Sequence, residues 1–340
     1  MALLAQYGLD SDAMTEVSIN EPAREVRLRL QRNVFDAWCP GFNTLSLRQR
    51  APHHGVPEPK ALLQEILIGL LAAPQAMCFS SVPALQSHIR VRLNIAQASA
   101  KTSLAFHTEA AERPLDYWVE HPDNGFVLRE GASLIQAIIA TTQPEATGKL
   151  YDFSCYRASE YLVLLGIAQE AQQVNPQFLQ TLEAECRVKV PRSRTFHDSF
   201  LIEYGDSEHP VPMCYYVPGD RVWFKNPDSA SSNIVGFEGS WVFYMGGGLF
   251  SNFWKRAQPF DLESKCLEVF HWRDGASQTA TGEPFMNEEI VAQQVELTRR
   301  NPEKLQCVLT AMMAYRDPMG VYETGGCIDS TREFPKPMLS

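Results

Sequence analysis

The sequence lacks a long hydrophobic run. Its longest apolar stretch, ILIGLLAA at 66–73, ends at Pro74. A membrane-spanning helix needs about 20 predominantly apolar residues, so this stretch is too short to cross a bilayer. The N-terminal sequence MALLAQYGLDSD has no basic residue and becomes acidic at Asp10, which argues against a secretory signal. We therefore expect a soluble protein.

Positive charge is also scarce. The chain has 30 lysines and arginines against 40 aspartates and glutamates, a formal net charge of -10. Phosphate backbones and anionic lipid surfaces are bound by basic surfaces, which release counterions on contact. The balance of charge therefore predicts that neither nucleic acid nor a membrane is a partner.

The cysteines lack any pairing pattern. No C-x-x-C motif occurs, and no histidine stands at metal-ligand spacing from a cysteine. We expect reduced thiols that fill the core, no metal, no cofactor and a cytoplasmic location. The eight residues are Cys39, Cys78, Cys155, Cys186, Cys214, Cys266, Cys307 and Cys327.

Hydrophobic periodicity divides the chain into a short extension and one larger domain. Residues 1–55 form a predicted N-terminal extension around one alternating strand, EVRLRL at 25–30. Residues 56–340 form the domain. Its first half is mainly helical, with one strand pair at 115–130. The predicted helices cover 61–73, 82–106, 132–141, 155–172 and 176–186.

Strand patterns dominate the next part of the chain. Aromatic and β-branched runs at 211–217, 221–226, 240–245 and 249–254 alternate with tight turns, and the glycines at 246–248 predict a hairpin. A final helix over 287–315 is interrupted near Pro302. Helices, then a strand meander, then a helix predict an α+β fold with an antiparallel sheet.

Cys155 stands directly before one of the predicted helices, in YDFSCYRASEYLVLLGIAQE at 151–170. The free N–H groups and positive dipole end of a helix N-terminus lower a thiol pKa and favour the reactive thiolate. Cys155 is therefore a candidate nucleophile. The alternative is that it is one more buried thiol, since free cysteines are commonly buried.

Several segments together resemble the small bacterial protein-glutamine gamma-glutamyltransferases of spore-forming bacilli. The resemblance covers about residues 60–275 and rests on RLNIAQASAKTS at 92–103, DYWV at 116–119, YDFSCYRAS at 151–159, GDRVWFKNPD at 219–228 and GFEGSWVFYMGGG at 236–248. It implies a papain-like or NlpC/P60-like α+β catalytic domain that needs no calcium. It also implies that Cys155 is the nucleophile, which forms a thioester with a glutamine carboxamide and passes the acyl group to an amine or to water.

Three positions depart from the pattern of that family. The acidic residue before the family's cysteine is Ser154 in this chain, its glutamate on the GFEGSWV strand is Ser240, and its histidine falls near Phe253. The polar residues that assist the thiol have therefore changed together, while the cysteine is present.

Three other residues are candidates to assist the thiol. Glu238 lies two positions before Ser240 and would share its strand face, although it could equally be a solvated turn residue beside Gly239. His271, with Asp274 nearby, could supply the imidazole and its orienting carboxylate, or could simply be packed. His197 beside Asp198 is a weaker candidate, because successive strand side chains point apart.

The sequence leaves three functions open. The first is a cysteine-dependent acyltransferase of transglutaminase type, with a glutamine side chain or thioester as acyl donor and an amine as acceptor. Its product would be a protein crosslink or an amide bond on a small or carrier-bound substrate. The second is a non-catalytic binding module that retains Cys155. The third is a deamidase or effector toxin, with residues 1–55 used for delivery.

Overall fold

The computed structural model describes residues 2–9, 12–51, 57–58, 60–105, 111–317 and 325–339. The described N-terminal residues form short elements that pack on the rest of the chain. Leu4 and Tyr7 are buried in a hydrophobic core that they share with Ile66. The elements are α1 (Ala2–Gln6), β1 (Thr15–Asn20), β2 (Glu25–Leu30), α2 (Arg32–Trp38) and α3 (Leu47–Arg50). The antiparallel pair β1 and β2 confirms the strand predicted at 25–30.

A layer of helices follows, as the sequence predicts. Its central member is buried through its middle turns and packs against helices on either side, so it forms the middle of the first core. The elements are α4 (Lys60–Leu71), α5 (Val82–Lys101), β3 (Trp118–His121), β4 (Gly125–Leu128), α6 (Leu134–Thr142), the central α7 (Cys155–Val174), α8 (Pro176–Val188) and α9 (Ser193–Phe200). The predicted strand pair at 115–130 is confirmed as β3 and β4.

Within the described ranges, the main sheet has five antiparallel strands. Their order across the sheet is β5 (Leu201–Tyr204), β11 (Arg332–Pro335), β6 (Arg221–Lys225), β7 (Gly239–Gly246) and β8 (Leu249–Phe250). The structure therefore confirms a fold of mixed helices and antiparallel sheet. The remaining elements are α10 (Leu262–Gly275), β9 (Ala276–Gln278), β10 (Pro284–Met286), α11 (Glu288–Arg299) and α12 (Pro302–Met312).

The two faces of this sheet contact different helices. Phe243 on β7 packs into the first core beside α7. Val242 and Tyr244, its neighbours on the strand, pack into a third core with α10. Strand side chains alternate between faces, so β7 separates the two cores. No helix in the described ranges is long and apolar enough to span a membrane.

The glycines at 246–248 form the predicted hairpin between β7 and β8. Gly246 has φ +92°, and a Cβ there would lie 2.7 Å from Leu62 Cδ1 and 2.8 Å from Glu65 Oε2. The Gly247 N–H donates to Glu65 Oε1 at 2.9 Å. Only glycine fits at position 246, because helix α4 packs directly against the turn.

Three local predictions differ from the structure. The run at 211–217 is not a strand, because its backbone bonds to a side chain: the Tyr216 N–H donates to Thr44 Oγ1 at 2.8 Å. Residues 193–200 form helix α9 where a strand was assumed, and the predicted strand at 249–254 is a strand only at Leu249–Phe250. Helix α10 has no counterpart among the predicted elements. The interruption near Pro302 is confirmed, since α11 ends at Arg299 and α12 begins at that proline.

Candidate active site

Cys155 is the first residue of helix α7, as the sequence predicts. The helix begins there because Ser154 caps it: the Arg157 N–H donates to Ser154 Oγ at 3.2 Å. This contact satisfies one of the N–H groups that a helix N-terminus leaves without a partner. Ser154 is exposed and Cys155 is partly exposed, so the start of the helix is open to solvent.

Two backbone N–H groups hydrogen-bond to the Cys155 sulfur, those of Tyr156 and Trp241. The direction of the Trp241 N–H follows from the strand. Phe243, two residues later on β7, donates its N–H to Ser251 Oγ at 3.0 Å, and N–H groups two residues apart point to the same strand edge. Strand β8 pairs with Tyr244 and Gly246 but does not extend to Trp241, so this N–H is free to meet the sulfur.

Burial nevertheless raises the pKa of the Cys155 thiol above its ordinary value. The two N–H groups and the positive charges of Lys265 and Arg221 act in the opposite direction and do not offset it. Cys155 packs against the first core, which contains Phe243 and Phe253, and hydrocarbon disfavours the thiolate. The lowered pKa predicted from the helix N-terminus is therefore wrong for this structure, because desolvation is the larger effect.

A cavity of about 390 Å³ shares two residues, Trp241 and Arg221, with the surroundings of this thiol, but Cys155 itself does not line it. Trp241 lines the cavity and also donates its N–H to the sulfur. The tilted ring pair Trp223 and Trp241, with centroids 5.0 Å apart, forms the aromatic part of its wall. The other lining residues are polar or charged: Glu203, Arg221, Lys225, Glu238, Arg316, Asp329, Thr331 and Glu333. In the described ranges, no group of three or more histidine, cysteine or acidic residues could hold a metal ion.

Glu238 is an exposed bend residue directly before β7. It has features of both predicted alternatives, because it is a turn residue and its side chain also lines the cavity. Gly239 follows with φ +154°, and a Cβ there would lie only 2.4 Å from Phe224 O. The close approach of these two backbones fixes the point where Glu238 leaves the strand.

His271 lies on α10, fully buried. Its Nδ1 is 2.5 Å from Asp274 Oδ2, so the predicted histidine and aspartate pair does form. Its Nε2 is 2.8 Å from Thr298 Oγ1 on α11. Both ring nitrogens are thus used at the interface between α10 and α11, and the structure does not bring them to the Cys155 sulfur.

His197 lies on helix α9, so the assumption that it occupies a strand is wrong. Its Nε2 is 3.6 Å from Glu333 Oε1, and its Nδ1 is 3.8 Å from Asp198 Oδ1. Glu333 lines the cavity. His197 therefore approaches the edge of the site through a carboxylate rather than directly.

Two residues of the site were missed by the sequence analysis, Arg221 on β6 and Glu333 on β11. Arg221 is only 2% exposed and forms an ion pair with Glu333. An arginine inside the aromatic strand RVWFK was a usable signal, because a strand charge among large apolar residues needs a buried partner. The identity of that partner, 112 residues later, could not be read from the sequence.

Known proteins share features with this chain. A sequence model described as protein-glutamine gamma-glutamyltransferase matches residues 46–324. The chain belongs to this family. It is therefore a transglutaminase-like enzyme. Among solved structures, it is similar to a transglutaminase from Geobacillus stearothermophilus without its C-terminal extension. The sequence identity is 20%, the match covers 63% of this chain and 97% of the other, and the TM-score is 0.45. No curated protein sequence matches the chain.

The three departures from the transglutaminase pattern have distinct surroundings. Ser154 caps α7. Ser240 shares a strand face with Val242 and Tyr244, which pack in the third core, so it points away from the Trp241 side of β7. Phe253 is 1% exposed in the first core, against which Cys155 also packs. In this transglutaminase-like enzyme, these positions serve the helix cap and the hydrophobic packing.

Proposed function

We propose that the protein is a cysteine-dependent acyltransferase of transglutaminase type with Cys155 as its nucleophile. The sulfur attacks the carbonyl carbon of a glutamine carboxamide and the C–N bond breaks. The leaving nitrogen takes up the proton that the thiol has lost and departs as ammonia. An amine then attacks the thioester carbonyl, the C–S bond breaks, and the thiol is regenerated. The observation that carries this proposal is a partly exposed cysteine at a helix N-terminus with two N–H donors, one of which belongs to Trp241, a residue that lines the cavity.

The raised thiol pKa makes proton removal part of the mechanism. At neutral pH the resting sulfur is protonated, so a base must accept its proton when the substrate binds. We propose Glu238 for this role, because its exposed carboxylate lines the same cavity as Trp241. The assignment of His271 stays a prediction, and its contacts with Asp274 and Thr298 favour a role in packing.

The substrates proposed for this enzyme follow from the family and the cavity. The acyl donor is a glutamine side chain or a thioester, and the acceptor is an amine. The cavity, with its indole wall and charged rim, is large enough for an extended side chain. The papain-like arrangement and the cytoplasmic location stay predictions.

A second candidate is a binding module that retains Cys155 without using it. It is favoured by one observation: in the described part of the chain, the hydrogen bonds to the sulfur come from backbone N–H groups, and no carboxylate or imidazole is among them. Deamidation differs from transamidation only in the acceptor, which would be water.

The test is incorporation of a fluorescent alkylamine into casein by the purified full-length protein, with ammonia release followed in parallel. We expect incorporation by the wild type and none by Cys155→Ala, whereas Cys307→Ala, which removes an exposed thiol, retains it. Ammonia release without incorporation would indicate deamidation. Neither signal, from a folded protein, would favour the binding module, and activity in Cys155→Ala would discard the site.

A further inference from the structure

One buried arginine contacts the two residues that donate N–H groups to the thiol. The Arg221 Cζ lies 3.8 Å from the centroid of the Trp241 ring and 4.7 Å from that of the Tyr156 ring. These two side chains also meet in an edge-to-face contact with centroids 5.5 Å apart. A planar guanidinium between aromatic rings restrains both rings through cation–π contact and stacking.

Two further contacts fix the guanidinium itself. Arg221 Nε donates to Ser159 Oγ at 2.7 Å, one turn beyond Cys155 on α7. Its Nη1 pairs with Glu333 on β11, which inserts between β5 and β6. The chain region matched by the family ends at residue 324, so this carboxylate comes from a strand outside the match.

We propose that Arg221 is a positioning residue for the Cys155 thiol, and that Glu333 holds Arg221 in place. Through its ring contacts, the guanidinium aligns the backbone N–H groups of Tyr156 and Trp241 on the sulfur. Arg221 also carries one of the positive charges that stabilise the thiolate. The C-terminal strand β11 is therefore part of the catalytic machinery of this chain. The inference rests on the proposed role of Cys155.

Charge and geometry both predict the direction in which the pKa of the Cys155 thiol shifts when Arg221 is removed. Removing Arg221 takes away a positive charge and loosens two N–H donors, and both changes disfavour the thiolate. The pKa of the Cys155 thiol therefore rises further. A shift of about one pKa unit corresponds to an alkylation rate about tenfold lower at a fixed pH below the midpoint.

The experiment measures the rate of iodoacetamide labelling of Cys155 against pH, with peptide mapping to separate it from the other cysteines. The main variant combines Arg221→Gln with Glu333→Gln, because the single change would leave a buried carboxylate without its partner. We expect the midpoint to move to higher pH and kcat for amine incorporation to fall more than KM changes. Folding of each variant is verified by near-UV circular dichroism.

A second variant, Arg221→Lys, separates positioning from charge. Lysine retains the charge but cannot stack and fork in the same way, so we expect a shift in the same direction. The control combines Arg90→Gln with Glu170→Gln, which removes an ion pair with an N–O distance of 2.6 Å. Glu170 lies near the other end of α7, about 22 Å along the helix from Cys155 at 1.5 Å per residue. We expect the control to retain the wild-type midpoint.

A folded Arg221→Lys or double variant with the wild-type midpoint would overturn the inference. The same is true if the Arg90→Gln and Glu170→Gln control shifts the midpoint as much as the Arg221 variants do, because the effect would then be general. Labelling needs no substrate, so the midpoint still tests this inference if the wild type fails to modify casein. That failure would count only against the proposed function.

Discussion

At the scale of single residues, the surroundings of Cys155 have two opposite effects on the pKa of its thiol. Backbone N–H groups and two cations favour the thiolate, while the hydrocarbon of the first core disfavours it more strongly. A thiol that is protonated at rest is protected from alkylation and oxidation until a substrate and a base arrive together. The activity of the site therefore depends on which side chain acts as the base.

Glu238→Gln tests the proposed base. We expect kcat for amine incorporation to fall by about a hundredfold, which is the usual contribution of a general base, with little change in thermal stability because the side chain is exposed. The matched control is Glu203→Gln, another exposed carboxylate that lines the same cavity. Equal losses in both variants would indicate a general charge effect instead of a specific base.

His271→Ala should instead affect stability. The substitution leaves Thr298 Oγ1 and Asp274 without their partner and opens a void between α10 and α11. We expect a loss of about 2–4 kcal/mol in the free energy of unfolding, measured in urea. A stable His271→Ala protein without transferase activity would contradict the packing role and restore His271 as a catalytic candidate.

At the scale of elements, helix α7 positions Cys155, because the residue is the first of the helix. Its buried body is fixed in the first core, while its first turn is partly exposed. The cap at Ser154 determines where the helix begins, and therefore where Cys155 lies relative to Trp241.

Ser154→Ala removes this cap. We expect the free energy of unfolding to fall by about 1 kcal/mol, as for other N-cap substitutions, and Ser154→Asp to retain most of it. The matched control is Ser46→Ala, because Ser46 occupies the N-cap position of α3 but makes no capping hydrogen bond. Urea unfolding measures all three variants. No loss in Ser154→Ala would mean that packing alone fixes the start of α7.

At the scale of the whole molecule, the N-terminal residues and the C-terminal strand both pack on the central domain. Leu4 and Tyr7 are buried, and Gln64 Nε2 on α4 donates to Tyr7 O at 2.8 Å. At the other terminus, β11 pairs with β5 and β6. The described part of residues 1–55 is therefore tied to the same hydrophobic core as α4.

Deletion of residues 1–9 tests whether this segment is dispensable. It exposes the apolar surface that Leu4, Tyr7 and Leu9 cover, and each buried side chain of this size contributes about 1.5–3 kcal/mol. We expect a loss of more than about 3 kcal/mol in the free energy of unfolding. The control, Gln6→Ala, changes an exposed residue of α1 and should have little effect. Unchanged stability of the deletion would indicate a removable extension.

The sequence by itself determined the family and the local structure of part of the chain, but not the run at 211–217, α9 or α10. Apolar periodicity gave α4, α5 and α7, turn residues gave the β3–β4 hairpin, and Cys155 was found at a helix start, because each of these signals lies within a few neighbouring residues. Tertiary structure alone decided the rest. The thiol pKa depends on burial against the first core and on Trp241, the Arg221 pair needs Glu333 from a distant strand, and His271 faces α11. Contacts between residues far apart in sequence leave no local pattern, so burial and partner choice appear only when the chain is folded.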